Sequence, residues 1–190
     1  NVTVTTPAGT SNAKQFTIAQ ACTQTVAGNS STFTSQSNDP INLATGAYIY
    51  QATDLVLAGR GLPLISSRTY TTGGGAQSPF GPDWAWSFGM RLLLQGSLIT
   101  VVNEDGRQDT YVGSGGGTFT PPAGIFAALV KNPDGTFTLT RKNRVQFAFD
   151  ATGLLTSITD RNGNTISLAY GGGPVPMTIT DTVGRTVSLT

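Results

Sequence analysis

Asp160 and Asp181 are the first residues to invite a chemical reading, because the same carboxylate recurs after Ile-Thr and just before a glycine-containing turn, with Gly163 and Gly184 following. Repeated carboxylates serve general acid–base catalysis when they face one substrate. An Asp at the start of a turn, however, caps backbone N–H groups through its own side chain, and that is the role expected here. Glu104 and Asp105 are adjacent oxygen donors of the kind Ca²⁺ takes, but the EF-hand spacing is absent. Asp105-Gly106 reads instead as an ordinary hairpin turn. Trp84, Trp86 and Phe88 stand at alternate positions, which on a strand project to one face. Such a stripe is either an aromatic patch for sugar or packing under the first turn of a sheet, and packing is the commoner fate. The glycine triplets at 73–75, 115–117 and 171–173 are not followed by the Lys-Ser/Thr of a phosphate loop. Arg141, Lys142 and Arg144 form a small basic cluster that a solvated hairpin end explains. Cys22 is the single cysteine and histidine is absent, which removes internal disulfides, histidine triads and histidine-ligated metals together. No catalytic residue, no cofactor site and no metal site is expected.

The elements that would carry these residues are strands. Only 11% of the 190 residues are charged, against roughly 25% in an average soluble domain. Thr is favoured on pleated surfaces and Gly in tight turns, and both are abundant. Hydrophobic residues make up 38%, so a core can form and the chain is not disordered by composition. With 11 Lys/Arg against 10 Asp/Glu there is no field to gather phosphates, so no nucleic-acid partner is expected. No apolar run approaches the roughly 20 residues of a membrane span, so no membrane insertion is expected either. Asn1 does not open a signal peptide, so a secretory signal is expected upstream of it.

Along the chain, residues 1–18 read as a β-hairpin. Val2 and Val4 alternate with threonines, Pro7-Ala8-Gly9 makes a turn, and Phe16 and Ile18 alternate on the return. Residues 19–38 are polar, small and unperiodic, which reads as a linker. Residues 39–120 form a β domain with dense turn signals. Residues 121–190 form successive hairpins, and turn pairs of Asp or Asn before Gly recur through the second half of the chain at Asp105-Gly106, Asp134-Gly135 and Asn162-Gly163. No window carries a helical period.

The second half also repeats. Thr156 to Leu168 (TSITDRNGNTISL) aligns without a gap on Met177 to Leu189 (MTITDTVGRTVSL), matching Ile158 to Ile179, Asp160 to Asp181, Ile166 to Val187 and Leu168 to Leu189. Units of this size bury their apolar face only by stacking on neighbours. The phrase FDATGLLTSITDRNGNTISLAYGGG, continuing to ITDTVGRTVSL, resembles YD repeats of the Rhs/YD superfamily. NDPINLATGAYIYQATDLVL, GLPLISSRTY, SPFGPDWAWSF and VNEDGRQDTYV resemble, in order, the phrases of the domain that opens the shell in that family. Asn1 to Ile18 resembles the last hairpin of an IPT/TIG immunoglobulin-like sandwich. The resemblance implies an all-β, antiparallel sheet of successive hairpins that opens a hollow shell, with a separate N-terminal hairpin. In the family such a shell can enclose a C-terminal toxin domain, which lies far downstream.

The function expected is therefore a non-catalytic structural segment of a secreted or cell-surface protein. One alternative is an adhesive or filament-forming module that self-associates by strand addition. Another is a carbohydrate-binding β domain that uses the tryptophan stripe. The outermost strands, carrying Val2, Val4, Phe16, Ile18, Val187 and Leu189, have no successor within the segment. They are expected to be completed by the remainder of a larger polypeptide or by identical copies through their edges.

Overall fold

The computed structural model describes residues 2–6, 9–10, 40–42, 46–75 and 77–189. In chain order the strands are β1 (Val2–Thr6), β2 (Gly9–Thr10), β3 (Ile49–Leu57), β4 (Leu64–Thr71), β5 (Gln77–Ser78), β6 (Gly81–Pro82), β7 (Trp84–Trp86), β8 (Arg91–Gln95), β9 (Leu98–Val102), β10 (Gln108–Gly115), β11 (Thr118–Thr120), β12 (Ala128–Lys131), β13 (Phe137–Thr140), β14 (Gln146–Phe149), β15 (Leu155–Thr159), β16 (Thr165–Tyr170), β17 (Pro176–Thr180) and β18 (Thr186–Leu189). The described residues contain no helix. The protein is all-β, built of antiparallel sheets of successive hairpins.

Period-two alternation makes these strands. Phe137 and Leu139, Phe147 and Phe149, and Ile166 and Leu168 are buried, while the residues between them reach solvent. A strand of this kind has one buried face, so it must lie beside another, and β8 to β18 do so in sequence order within one 13-stranded sheet. Two register shifts, at Ala148/Phe149 and Ala169/Tyr170, stand one repeat length apart and so recur with the repeat. A bulge increases local twist and bends its strand; each repeat thus carries its own contribution to curvature.

Curvature brings the first strand of this run back to the sheet. Leu92 donates its N–H to the carbonyl of Gly153 at 2.8 Å, and Arg91 bridges Leu154. The β14–β15 turn therefore lies against the outer edge of β8, although β9 to β13 separate the two along the sheet. Gly153 is required at this seam: its φ is +92°, and a side chain would run into the Leu92 carbonyl.

A three-stranded sheet, β3-β4-β7, packs against this curled sheet. Leu64, Trp86, Phe88 and Met90 share one hydrophobic cluster with Leu129, Leu139, Phe149, Leu155, Ile179 and Val187. The sheet β3-β4-β7 is thus a layer that shares the core of the curled sheet.

The hairpin expected at the N-terminus is present in part, with Thr5 opposite Thr10 and Thr6 opposite Gly9. The structure also shows a pairing that the pattern did not reveal. β1 lies antiparallel on β18, with Val2 opposite Leu189 and Val4 opposite Val187, so the edge of β18, expected to be completed by a larger polypeptide or an identical copy, carries a strand of the same chain, and the hairpin extends the sheet rather than standing apart from it. An uncovered strand presents a row of N–H and C=O groups, and β1 is a Val/Thr strand able to meet it. Phe16, Ile18, the 19–38 linker and Cys22 lie outside the described residues.

Candidate functional site

The carboxylates occur where chain direction reverses, and one turn geometry recurs. At Asn103, Asn132, Arg141, Asp150, Asp160 and Asp181, the N–H donates to the carbonyl four residues on at 2.8–3.0 Å. In each case the carbonyl accepts the N–H three residues on at 2.8–3.1 Å. The fourth residue of each turn has positive φ: Gly106, Gly135, Arg144, Gly153, Gly163 and Gly184. This is a three-residue hairpin loop closed by a left-handed residue. The expected Asp105-Gly106, Asp134-Gly135 and Asn162-Gly163 pairs occupy its third and fourth positions.

Asp160 and Asp181 occupy the first position, and their side chains turn inward onto the loop. Asp160 Oδ1 accepts the N–H groups of Asn162 and Asn164 at 2.8 and 2.9 Å. Asp181 Oδ1 accepts those of Val183 and Arg185 at 3.0 and 2.8 Å, while Oδ2 accepts from Arg185 Nε at 2.6 Å. Asp150 does the same for Thr152 and Leu154. The Asn164 amide, together with the loop N–H groups, holds the Asp160 carboxyl below the usual range. Burial pushes Asp181 up, but the Arg185 and Val183 N–H groups and the Arg185 guanidinium outweigh it and leave the carboxyl low. A general base works best with a pKa near the operating pH. These carboxylates are shifted the opposite way, and their oxygens already accept several donors.

Glu104 and Asp105 are likewise committed. Arg141 grips both Glu104 oxygens at 2.7 and 2.5 Å, tying the β9–β10 turn to the β13–β14 turn. Arg141 also lies over the Phe147 ring at 4.5 Å. Behind it, Asn103 donates to Asp109 at 2.8 Å and Arg107 reaches the same carboxylate at 2.5 Å. Asp105 Oδ1 accepts the Arg107 N–H, and Asp134 Oδ1 accepts that of Thr136. Among the described residues, no three His, Cys, Asp or Glu side chains are grouped to hold a metal ion.

The tryptophan stripe is divided. Trp86 and Phe88 are 4% and 3% exposed, with rings edge-on at 5.5 Å, and Trp86 Nε1 donates to Ser66 Oγ at 3.0 Å. Trp84 lies further out, beside Tyr70 at 5.3 Å and Tyr50 at 6.2 Å, with the Arg68 guanidinium over it. Burial does not alternate along β7, where Ala85 is buried as Trp86 is; the strand runs from the rim of the layer into the core, so its two tryptophans meet different surroundings. The rings around Trp84 are tilted to it by 55° and 87°. They stabilise one another in edge contacts and form no common plane for a sugar ring.

Sequence reasoning missed Asn103, Asn132, Arg141 and Asp150 as turn-openers. The signal was available for three of them as Asp or Asn three places before a glycine. What distinguishes the whole arrangement is a layer joined to a curled sheet by one hydrophobic cluster, with a recurring loop geometry between the strands of that sheet and no reactive cluster among these carboxylates.

Residues 38–111 match the family described as Domain of unknown function (DUF6531). Two relatives match over a longer stretch. The "tRNA nuclease WapA" of Bacillus subtilis (strain 168) and the "tRNA3(Ser)-specific nuclease WapA" of Bacillus spizizenii are each 28% identical to this chain over 131 residues, 68% of its length. The alignment covers 6% of either protein. These likenesses are compatible with the Rhs/YD superfamily and point to a segment of an Rhs-like protein.

Proposed function

We propose that this chain is a non-catalytic segment that opens a β-sheet shell of the Rhs/YD type, with residues 40–90 filling its first turn. The observation that carries the reading is the seam at Arg91–Leu154. A sheet that meets its own first strand while its last strands continue past that point is winding, and further repeats extend the winding by taking the edge of β18 that β1 occupies here. The carboxylates offer no evident opposing chemistry, because Asp160, Asp181 and Glu104 each already hold donors of the turns on both oxygens. On this reading the nuclease activity in the relatives' names belongs to parts of those proteins outside the aligned 6%. Secretion or display at a cell surface and the IPT/TIG-like origin of Asn1–Ile18 belong to the same proposal.

Electron cryomicroscopy of the chain joined to the residues that follow it in its gene tests this. A closed, winding sheet with residues 40–90 inside its first turn is expected, and an open, flat sheet would overturn the reading.

A second reading is favoured by one observation, the β1–β18 pairing. The same strand addition made between copies builds a polymer. Light-scattering mass measurement with and without the segment Asn1–Ile18 decides it: polymers that vanish on truncation support assembly, and a monomer in both forms rejects it.

A further inference from the structure

The two repeats are nearly indistinguishable to the core. Ile158 and Ile179, Ile166 and Val187, and Leu168 and Leu189 are equivalent apolar positions in successive repeats, and both turns share the same backbone bonds. Burial of one face fixes each strand against a one-residue slip, but a shift by one whole repeat puts apolar residues back on apolar positions. Something else must specify which hairpin goes where.

The loop between β3 and β4, residues 58–62, meets both turns and treats them differently. Toward the Asp181 turn it makes hydrogen bonds. The Arg60 N–H donates to Thr182 Oγ1 at 2.9 Å, Thr182 Oγ1 lies 3.5 Å from the Leu62 carbonyl, and the Arg185 guanidinium donates to the Ala58 carbonyl. Toward the Asp160 turn it makes a close fit. Gly61, at φ +74°, lies so near Asp160 Oδ2 and Asn164 Nδ2 that any side chain there would collide with them. Gly59 is restricted in the same way, since a Cβ would stand 2.6 Å from Thr182 Oγ1 and from the Leu62 carbonyl. Both glycines are therefore needed for the loop to reach the turns.

We propose that Ala58–Leu62 is a docking site for two successive repeat turns that sets the register of the array, accepting Asp160–Asn164 and Asp181–Arg185 in this order only. The inference rests on the shell reading and adds to it the residues that fix where the winding starts. Displacement by one repeat puts Arg161 where Thr182 stands or, in the other direction, Arg185 where Asn164 stands. The first change removes the hydroxyl that takes the Arg60 N–H. The second places a longer side chain against Gly61. The loop thus discriminates between units that the apolar pattern leaves equivalent.

The test exchanges the variable turn residues in the full chain while keeping both Asp and both Gly: R161T/N162V/N164R together with T182R/V183N/R185N. Amide hydrogen exchange is then followed residue by residue. The expected result is that exchange at Gly59–Leu62 accelerates about tenfold while Phe137–Phe149 keeps its protection. Exchange at the Arg60 amide unchanged from the parent would overturn the proposal. Should the exchanged chain not fold, Thr182→Val and Thr182→Ser provide the same test. Val keeps the shape and loses the acceptor, Ser keeps the acceptor, and only Val is expected to release the Arg60 amide; equal exchange in both variants overturns the proposal. These readings concern the loop alone, so they stand or fall apart from the imaging experiment on the shell.

Discussion

The hairpins β13 to β18 and the layer β3 to β7 are both antiparallel sheet, yet they are held in place by different means. In the hairpins, four of the five reversals from β13 to β18 share one compact turn, whose defining bonds all lie within that turn, and the glycine loop between β16 and β17 is the exception. In the layer, the reversals rely on groups further along the chain. Asp83, itself at φ 63°, accepts the N–H groups of Gly73 and Gly75 at 3.2 and 2.9 Å, Ser87 donates to Ser67, and Arg68 is stacked between Phe80 and Trp84. A locally encoded strand pair can be repeated without limit. A layer built from longer-range contacts can be built only once, which suits the end of an array.

That contrast predicts how the two regions respond to damage. The largest effect is expected in the shared core. Phe149→Ala in the hairpins and Trp86→Ala in the layer should each cost about 3–5 kcal/mol, and both should lower a single calorimetric transition, because the two residues belong to one cluster. Two separate transitions would show that the layer and the hairpins fold independently. Next is the seam, where Gly153→Val places a side chain on the Leu92 carbonyl at positive φ. A loss of about 2–3 kcal/mol is expected. The same change at Gly163 should cost only about 1 kcal/mol, because that turn has open space around it and only its φ of +84° imposes strain. Chemical denaturation distinguishes the two.

Asp181→Ala comes third. It frees two N–H groups and the Arg185 guanidinium, and about 2 kcal/mol is expected. The pH dependence has the same origin. The folded-state pKa of Asp181 lies below its unfolded value, so its contribution is present above the unfolded pKa, about 4, and disappears as pH falls through the folded one. Tyr111 and Tyr170 act in the opposite direction. Burial pushes both up to about 12, so their neutral form stabilises the fold below the ordinary tyrosine value of about 10, and that contribution is lost as pH rises toward 12. Ultraviolet titration of tyrosinate should therefore show two late tyrosines that ionise with unfolding. The smallest effect is expected from single neutral hydrogen bonds, about 1 kcal/mol each. Tyr170→Phe removes the bond to the Leu155 carbonyl and Ser66→Ala the one from Trp86. Equal losses at these two sites would mean that bonds in the hairpins and in the layer are worth the same once formed.

The hairpins were legible because their information is local. Ile166, Leu168, Ile179 and Val187 could be placed in the core from alternation alone, and Asp160 and Asp181 could be set at turns from the glycines that follow. The layer was less so. Trp84, Trp86 and Phe88 stand at alternate positions, but nothing in their spacing tells that β7 passes from rim to core between the two tryptophans. Arg141 with Glu104, and Leu92 with Gly153, join parts of the chain separated by several strands. No periodicity carries information over such distances, so the seam could not be anticipated. β1 on β18 belongs to the same kind, since either strand alone reads only as an edge in need of a neighbour.

The seam also decides how the protein bears load. Because β1 lies beside β18, tension applied at the two ends of the chain opens the sheet like a zip, one pair of hydrogen bonds after another, at low force. Once β1 has left, peeling proceeds through β18, β17 and β16 until it arrives at the β14–β15 turn. There the Gly153 carbonyl and Leu154 are also anchored to β8, and the pull must break contacts on two sides together. The curled sheet therefore contains a mechanical stop, placed where the first circuit closes.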